Sequence, residues 1–154
     1  MKYWLMKSEP NTFSIDDLET MKNQTEHWDG IRNYQARNYM RDDMRIGDKA
    51  FFYHSNCDVI GIVGIMEIVR ESYPDFTAFD SMSNYFDPKS KIETPRWMMV
   101  DVKFVEKFKR TISLNELKEY PQLKDMLVIK RGQRLSIQPV QKNEWDFIIG
   151  LLKP

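Results

Sequence analysis

The chain has 154 residues, of which 42% are hydrophobic and 13% aromatic, and its 23 basic side chains balance 23 acidic ones. This length predicts one domain with a single core, and the composition excludes an intrinsically disordered chain. Because the net charge is zero, the chain as a whole is not attracted to nucleic acid or to an acidic membrane, and binding to either would require a local basic patch.

The cysteine content and the N-terminal residues indicate the cellular compartment of the protein. A single cysteine, Cys57, cannot form an internal disulfide, which favours a reducing environment. The apolar run at residues 3–6 is shorter than the centre of a signal peptide, and the longest apolar run, at residues 59–66, is too short to span a membrane. We therefore expect a cytoplasmic protein that has no membrane partner.

Three local patterns predict the first elements of the chain. An aromatic and apolar run at residues 3–7 is typical of a strand. Ser14 and Asp17 form a capping box, in which side chains bind free backbone N–H groups, and this predicts a helix from residue 14 to about residue 22. A weaker apolar stripe predicts another helix between residues 33 and 44.

The middle of the chain predicts two core strands and a long connection. Turn-forming residues separate the apolar segments 49–55 and 59–69, which we interpret as a hairpin. Residues 71–95 then contain three prolines and five aromatic side chains. A connection of this length within a domain is usually a functional lid or a mobile segment, and its aromatic side chains favour a packed lid.

The last third of the chain predicts one strand and two helices. Residues 98–105 alternate with the period of a half-buried strand. Ser113 and Glu116 repeat the capping box and predict a short helix that ends at Pro121. Trp145 begins an apolar stripe with helical spacing, so we expect a C-terminal helix with one face on the core and a structural role for Trp145.

The order of these elements predicts the fold class. Helices and strands are mixed without a regular alternation of strand, helix and strand. This favours an α+β domain with a mostly antiparallel, barrel-like sheet over a doubly wound fold. The sequence has no internal repeat or low-complexity tract, so a single domain over residues 1–154 is expected.

Metal-dependent and nucleophilic chemistry have little support in the sequence. His27, His54 and Cys57 are the only histidine and cysteine residues, and their spacing matches no metal site. Cys57 follows His54 by three positions across a strand end and a turn, where a structural thiol is favoured over a catalytic pair. The sequence has no glycine-rich phosphate loop and no common hydrolase motif. We therefore expect neither a metal nor a cofactor.

Three segments place aromatic rings beside hydrogen-bonding side chains: residues 28–34, 53–56 and 96–97. Proteins hold planar bases by stacking them on such rings, while neighbouring amides and hydroxyls bind the base edges. Core packing is the alternative explanation for each ring. If the alternation of the following strand extends back to Trp97, its side chain lies opposite the apolar face and is free for such a site.

Two groups of basic residues are candidates for phosphate contacts. One group recurs at four-residue steps in the second predicted helix: Arg37, Arg41 and Arg45. Neighbouring aspartates leave a solvated helix face as the alternative for this group. The other group has no intervening acidic residue: Lys130, Arg131 and Arg134. Phosphate contacts would position a nucleic acid without reading its sequence.

Five segments carry motifs of several residues: Trp4-Leu5-Met6-Lys7-Ser8-Glu9-Pro10, Trp28-Asp29-Gly30-Ile31-Arg32-Asn33-Tyr34-Gln35-Ala36-Arg37-Asn38, Tyr53-His54-Ser55-Asn56, Gly61-Ile62-Val63-Gly64 and Arg134-Leu135-Ser136-Ile137-Gln138-Pro139. Together they resemble the EVE domain family, in the same order and over nearly the whole chain. The resemblance implies the PUA-like fold, a small β-barrel flanked by short helices and related to the YTH domains, which bind methylated adenine in RNA. It also implies recognition of modified bases, notably modified cytosine in DNA, by a pocket on the barrel.

The same resemblance implies a base-binding pocket. Its positions are Lys7 and Ser8 at the edge, Trp28 as the aromatic wall, Asn33 and Tyr34 in the polar segment that follows, Tyr53, His54 and Ser55 on the opposite side, and Trp97 as a second tryptophan of the cage. We expect phosphate contacts from five arginines: Arg32, Arg37, Arg41, Arg131 and Arg134. We further expect Trp28, Tyr53, His54 and Trp97 to converge on one concavity.

Three functions are compatible with these residues, and a non-catalytic reader of a modified base is favoured, with DNA preferred to RNA as its partner. An ASCH-type hydrolase of modified nucleosides is the second, in which Lys7, Ser8 and Glu67 would act and a desolvated lysine would be the base or nucleophile. A protein-interaction module that uses the aromatic residues between 73 and 86 is the third.

Overall fold

The computed structural model describes residues 1–153 and is built on a six-stranded mixed sheet. The strands in chain order are β1 (Tyr3–Ser8), β2 (Thr25–Trp28), β3 (Lys49–His54), β4 (Gly61–Pro74), β5 (Met98–Ser113) and β6 (Ile137–Val140). Their order across the sheet is β2-β5-β4-β3-β1-β6. Neighbouring strands are antiparallel except for β1 and β3, which run parallel.

Short helices cover the two faces of the sheet. The α-helices are α1 (Ile15–Thr20), α2 (Tyr34–Asn38), α3 (Leu114–Leu117) and α4 (Lys142–Gly150). A π-helical turn at Tyr39–Asp43 continues α2, and 3₁₀ turns lie at Lys22–Gln24, Phe76–Phe79, Pro121–Leu123 and Leu127–Ile129. The helices predicted near residues 14, 33, 113 and 145 are therefore all present, with shorter bounds.

Side-chain caps explain where two of these helices begin. The Ser14 hydroxyl accepts from the Asp17 amide at 3.1 Å, and the Asp17 carboxylate accepts from the Ser14 amide at 2.9 Å, so the predicted capping box is complete. Ser113 caps α3 by accepting from the Glu116 amide at 3.1 Å. The Glu116 carboxylate binds Arg110 instead of returning the bond, so only half of the second box forms.

The α+β class and the mostly antiparallel sheet are confirmed, but the sheet is not closed into the expected barrel. Within residues 1–153, β2 and β6 lie at opposite edges and do not pair with each other. Each of them has only four residues, which offer few backbone groups for a closing pair. The long strands β4 and β5 bend through several register shifts without closing the sheet.

Side chains that alternate along the strands form two hydrophobic clusters, one on each face of the sheet. Trp4 and Met6 belong to the first cluster, which also contains residues of α1 and α2, whereas Leu5 between them belongs to the second. In the second cluster Trp145 of α4 stacks on Phe51, with 3.9 Å between ring centroids. The structural role predicted for Trp145 is therefore confirmed.

Three features of the sheet differ from the sequence predictions. The strand predicted at residues 98–105 continues to Ser113. The sequence did not indicate its second half, because the side chains there are largely exposed and lack the apolar alternation. Strands β2 and β6 were not predicted, since four residues hold too few alternations to detect. Residues 71–74 of the predicted lid belong to β4, and the rest of the lid contains the turn Phe76–Phe79.

Candidate functional site

A cavity of about 1100 Å³ opens where strands β1, β2 and β3 end. Its walls come from segments that are far apart in the chain, residues 7–9, 12–13, 26–31, 55–56, 133–134 and 136, together with Tyr85. Ligand pockets in proteins usually measure roughly 300–1000 Å³, so this cavity has room for a nucleotide. A second cavity of about 380 Å³ beside the N-terminus has no aromatic side chain in its wall.

Strand pairing brings three serines to this cavity. Because β1 and β3 are parallel neighbours, their C-terminal ends lie side by side, and Ser8 is the register partner of His54. The next residue, Ser55, donates its backbone N–H to the Ser8 carbonyl at 3.0 Å. On the other side of β1, the Lys7 N–H donates to the Ser136 carbonyl at 2.8 Å. Ser8, Ser55 and Ser136 therefore all line the cavity.

Trp28, the last residue of β2, forms an aromatic part of the wall. The residue is only 6% exposed. Its ring packs edge-on against Phe52, with 5.4 Å between centroids, and against Phe13, with 6.2 Å. These contacts hold the ring in one orientation before any ligand arrives.

Two cationic side chains line the cavity without an internal acceptor. Lys7 has no ion-pair or side-chain hydrogen-bond partner within residues 1–153, and its Nζ lies 5.8 Å from the centroid of the Tyr53 ring. Burial lowers the pKa of the Lys7 ammonium. Arg134 is exposed, and its guanidinium likewise has no partner in the described part of the chain.

Another part of the wall carries carboxylates arranged around a histidine. His27 Nδ1 lies 2.7 Å from Glu26 Oε1, and His27 Nε2 lies 3.4 Å from Asp29 Oδ2. The Glu26 carboxylate also accepts from the His27 amide at 2.9 Å. Burial raises the pKa of Asp29, and the neighbouring His27 opposes this effect. Glu26, His27 and Asp29 all line the cavity.

Gly30 leaves room for Tyr85, from the segment predicted to be a lid, to pack against this wall. Its φ of +79° lies in the left-handed region, and a Cβ at this position would stand 2.6 Å from Tyr85 Cζ. The Gly30 amide donates to Asp75 Oδ2 at 2.9 Å. A side chain at position 30 would therefore collide with Tyr85 and strain the backbone.

Arg32 attaches the lid segment to the chain that follows Trp28. Its guanidinium donates to Asp75 Oδ2 at 3.1 Å, to Thr77 Oγ1 at 3.2 Å and twice to the Tyr85 carbonyl, at 2.6 and 3.0 Å. Asp75 is fully buried and also accepts from the amide and hydroxyl of Thr77. We call Arg32, Asp75, Thr77 and Tyr85 the Arg32 anchor. Because these acceptors already occupy its donors, Arg32 is not free to bind phosphate as expected from the sequence.

Tyr53 and His54 do not line the cavity, although both were expected there. Tyr53 is 2% exposed and belongs to the second hydrophobic cluster, where burial raises its pKa to about 12. His54 Nε2 accepts from the Ile15 amide at 3.2 Å, and its ring packs edge-on against Phe52. Both side chains therefore support the strand ends that carry Ser8 and Ser55.

Trp97, Tyr34 and Asn33 also lie outside the cavity wall. Trp97 is 6% exposed, stacks on Tyr34 with 4.9 Å between centroids, and donates its indole N–H to Asp87 Oδ2 at 2.7 Å. Trp97 lies just before the first residue of β5, so the alternation of side chains along that strand does not include it. Asn33 caps α2 by accepting from the Ala36 amide at 3.0 Å. The expected convergence of Trp28 and Trp97 on one concavity does not occur.

The remaining predicted arginines differ in their surroundings. Arg37 donates to the Arg96 carbonyl and to Asn38, and lies over the ring of Tyr34. Arg41 is exposed and pairs with the adjacent Asp42. Arg131 is exposed and close in sequence to the cavity-lining Arg134. The phosphate contacts of these residues remain predictions.

Sequence reasoning missed several residues of the wall: Thr12, Phe13, Glu26, His27, Asp29, Tyr85 and Gln133. Asp29 was visible within the segment around Trp28, as the charged residue between a tryptophan and a glycine. Strand β2, which places Glu26 and His27, was not predicted, so nothing in the sequence pointed to them. Tyr85 reaches the cavity only through the Arg32 anchor, a contact over more than 50 positions.

The three residues of the alternative hydrolase are not assembled. Glu67 pairs with Lys49 and is its register partner. On β3, Lys49 is four residues before Tyr53, which is the register partner of Lys7. Four residues of strand span about 13 Å. Glu67 is therefore displaced along the sheet from Lys7 and Ser8, and it does not line the cavity.

Residues 1–153 show neither a cluster of metal ligands nor a membrane-spanning helix. They contain no group of three or more His, Cys, Asp and Glu side chains placed to hold a metal ion. No helix of this part of the chain has the length and apolar content needed to cross a membrane.

Sequence comparison finds close relatives. Thymocyte nuclear protein 1 of Mus musculus is 51% identical over 97% of this chain and 73% of its own length, and the Homo sapiens protein of the same name is 50% identical over the same shares. A protein of Schizosaccharomyces pombe is 43% identical over 99% of this chain and 69% of its own length. The word nuclear in the name of the mammalian relatives gives no support to the cytoplasmic location expected above.

Solved structures share the fold. The human THYN1 protein in complex with 5-methylcytosine containing DNA matches with a TM-score of 0.95 and 48% identity, covering 100% of this chain and 99% of that one. A protein of Pseudomonas syringae matches with a TM-score of 0.94 and 46% identity, covering 98% and 99%. An ASCH protein of Zymomonas mobilis, at 12% identity and a TM-score of 0.57 over 99% of this chain and 100% of that one, shares the fold alone.

The family model of the EVE domain matches residues 2–151, almost the whole chain. This match agrees with the high identity to thymocyte nuclear protein 1 and with the structural match to its human form. The chain belongs to the EVE domain family.

Proposed function

We propose that this protein is a non-catalytic reader of DNA that contains 5-methylcytosine, and that the modified base enters the cavity beside Trp28. The observation that carries the proposal is a single cavity that combines a fixed aromatic ring, unpaired cationic side chains and serine hydroxyls. The complex of the human relative with 5-methylcytosine containing DNA supports this choice of ligand.

The aromatic side of the cavity suits a planar base. Stacking of a base on a tryptophan or tyrosine contributes about 1–3 kcal/mol. The ring of Trp28 is already fixed by Phe13 and Phe52, so little conformational entropy is lost when a base stacks on it. Phe13 and Ile31, which also line the cavity, provide apolar surface for the 5-methyl group.

The cationic side suits the phosphates on either side of that base. Lys7 and Arg134 have no acceptor within residues 1–153, so binding a phosphate would break no internal ion pair. Contacts of this kind supply affinity that falls with salt concentration and is independent of sequence. The base and its backbone thus have separate binding surfaces in one cavity.

A base inside duplex DNA cannot reach the ring of Trp28. Proteins that bind a whole base in a pocket rotate it out of the helix, at a cost of a few kcal/mol. The Ser8 hydroxyl already donates to the Phe13 carbonyl at 2.6 Å, so stacking on Trp28 and hydrogen bonds from the Ser55 and Ser136 hydroxyls offset this cost. The proposal therefore predicts that a target base in single-stranded or mispaired DNA binds more tightly than the same base in a matched duplex.

The proposal is tested by filling the cavity from its rim. Thr12 is exposed and lines the cavity, whereas the adjacent Asn11 is exposed and does not. We would measure the binding of Thr12→Trp, Asn11→Trp and the unchanged protein to oligonucleotides with one 5-methylcytosine or one cytosine, by fluorescence anisotropy at fixed salt. We expect Thr12→Trp to abolish the preference for 5-methylcytosine and Asn11→Trp to retain it.

Two results would contradict the proposal. One is equally weak binding of the unchanged protein to modified and unmodified DNA. The other is a clear preference for 5-methylcytosine that Thr12→Trp leaves intact, which would place the base outside this cavity.

A further inference from the structure

A carboxylate in a cavity proposed to bind DNA needs an explanation, because it repels phosphates. We infer that Asp29 determines base specificity: it accepts a hydrogen bond from the exocyclic amino group of 5-methylcytosine and thereby excludes thymine. This inference rests on the proposed function and extends it from the class of ligand to the discrimination between two methylated pyrimidines.

The position of Asp29 fits this role. It directly follows Trp28, so its carboxylate stands at the margin of the surface on which the base would stack. Its Oδ2 faces His27 Nε2 at 3.4 Å, while no other side chain within residues 1–153 donates to Oδ1. The side chain is 30% exposed and lines the cavity.

Stacking and methyl contacts cannot separate 5-methylcytosine from thymine. Both bases have the same ring size and the same methyl group at position 5, and they differ at position 4, where cytosine has an amino donor and thymine a carbonyl acceptor. Trp28, Phe13 and Ile31 would therefore accept either base. A carboxylate beside position 4 accepts from the amino group but repels the carbonyl oxygen, which makes it both an attractive and an excluding element.

Glu26 is the other carboxylate of this wall, and it is less suited to the role. Its Oε1 already accepts from the backbone N–H of His27 and faces His27 Nδ1 at 2.7 Å. Glu9 also lines the cavity, but its carboxylate accepts from the Asn56 side-chain amide at 3.2 Å. Lys7 and Arg134 would attract the phosphates, which would leave the polar edge of the base to Asp29. The two charged walls together orient a nucleotide in the cavity.

The experiment compares three oligonucleotides that differ at one position, which holds 5-methylcytosine, thymine or cytosine. An abasic site opposite this position removes differences in base pairing, so that the affinities report on the cavity. We would measure the dissociation constants of the unchanged protein, Asp29→Asn and Glu26→Gln by competition anisotropy, with thermal unfolding as a check on folding. Each substitution removes one negative charge from the same wall, so Glu26→Gln controls for the general electrostatic effect.

We expect the unchanged protein to prefer 5-methylcytosine to thymine about tenfold or more, since ~1.4 kcal/mol corresponds to one decade. Asn can donate as well as accept, so Asp29→Asn should reduce this ratio to about threefold or less. Glu26→Gln should leave the ratio unchanged.

Equal affinity of the unchanged protein for 5-methylcytosine and thymine, with cytosine binding more weakly, would overturn the role of Asp29 and leave the proposed function intact. An unaltered ratio in folded Asp29→Asn would also overturn it. Equal affinity for all three oligonucleotides would instead refute the proposed function itself. The comparison in the unchanged protein decides the question even if a variant fails to fold.

Discussion

The cavity and the Arg32 anchor lie on either side of Gly30 and use their charged side chains in opposite ways. In the anchor, the Arg32 guanidinium donates hydrogen bonds to Asp75, to Thr77 and to the Tyr85 carbonyl. In the cavity, two cations have no acceptor within residues 1–153. Both regions combine basic and aromatic residues, so composition does not distinguish them. What distinguishes them is whether a polar side chain already has an internal partner, and four predictions test this difference at cations, at tryptophans and at a histidine.

The largest effect is expected for Asp75→Ala in the anchor. The fully buried Asp75 carboxylate accepts from the Gly30 amide, from Arg32 and from Thr77. Removing one partner of a buried ion pair costs about 3–5 kcal/mol in the free energy of unfolding. Urea denaturation measures the loss. Arg134→Ala is the control, with an expected change within about 0.5 kcal/mol, and equal stability of the two variants would refute the contrast.

The next effect separates the two tryptophans. Trp28→Ala should weaken binding to 5-methylcytosine DNA at least tenfold, which corresponds to ~1.4 kcal/mol, because the stacking surface is lost. Trp97→Phe should lower the melting temperature by removing the hydrogen bond to Asp87, but leave the affinity unchanged within about twofold. Anisotropy titrations well below the melting temperature measure both. A larger loss of affinity for Trp97→Phe would mean that the second tryptophan belongs to the site after all.

A smaller effect is expected on the salt dependence of binding. Arg134→Ala removes an unpaired cation from the cavity, so the slope of log affinity against log salt should decrease by about 1. Arg41→Ala is the matched control, since Arg41 is exposed but pairs with Asp42. Titrations at several salt concentrations give both slopes. Identical slopes for the two variants would show that the partner of an arginine does not determine its role.

The smallest effect concerns His54, a polar side chain beside the cavity that supports the fold. Burial lowers the pKa of His54 below its ordinary value of 6.5, and its neutral Nε2 accepts from the Ile15 amide. The neutral form therefore stabilises the folded state above pH 6.5, and this contribution is lost as the pH falls through 6.5 towards the lowered value. His54→Gln should lose less stability than the unchanged protein between pH 7.5 and pH 5.5. Parallel losses in urea denaturation would contradict this role.

Local interactions made much of the fold predictable from the sequence. Ser14 and Asp17 identify the start of α1 because both partners of the capping box lie within four residues. The alternation after residue 98 identifies β5, and the stripe at Trp145 identifies α4. The parallel pairing of β1 with β3 was not predictable in this way, because it joins distant segments that carry no local signal of direction.

The candidate site was less predictable, for reasons that individual residues illustrate. Lys7, Ser8, Trp28, Ser55 and Arg134 were expected at the site and do line the cavity. Other expected rings and amides have internal partners instead, and such partners depend on tertiary contacts that a sequence does not display. Motifs therefore indicated the edge of the sheet at which the cavity lies, but not which side chains point into it.

The pairing of β1 also determines when the cavity can form during synthesis. Tyr3 pairs with Lys49 on one side and with Val140 on the other, so β1 acquires its second neighbour only after residues 137–140 have been made. Until then β1, whose central residues are buried in the finished fold, presents an open edge that can pair with other chains. Lys7 and Ser136 meet only in that last step. The ability to bind a base should therefore arise late and all at once, and a ribosome stalled before residue 137 should carry a chain that is prone to aggregate and has no binding cavity.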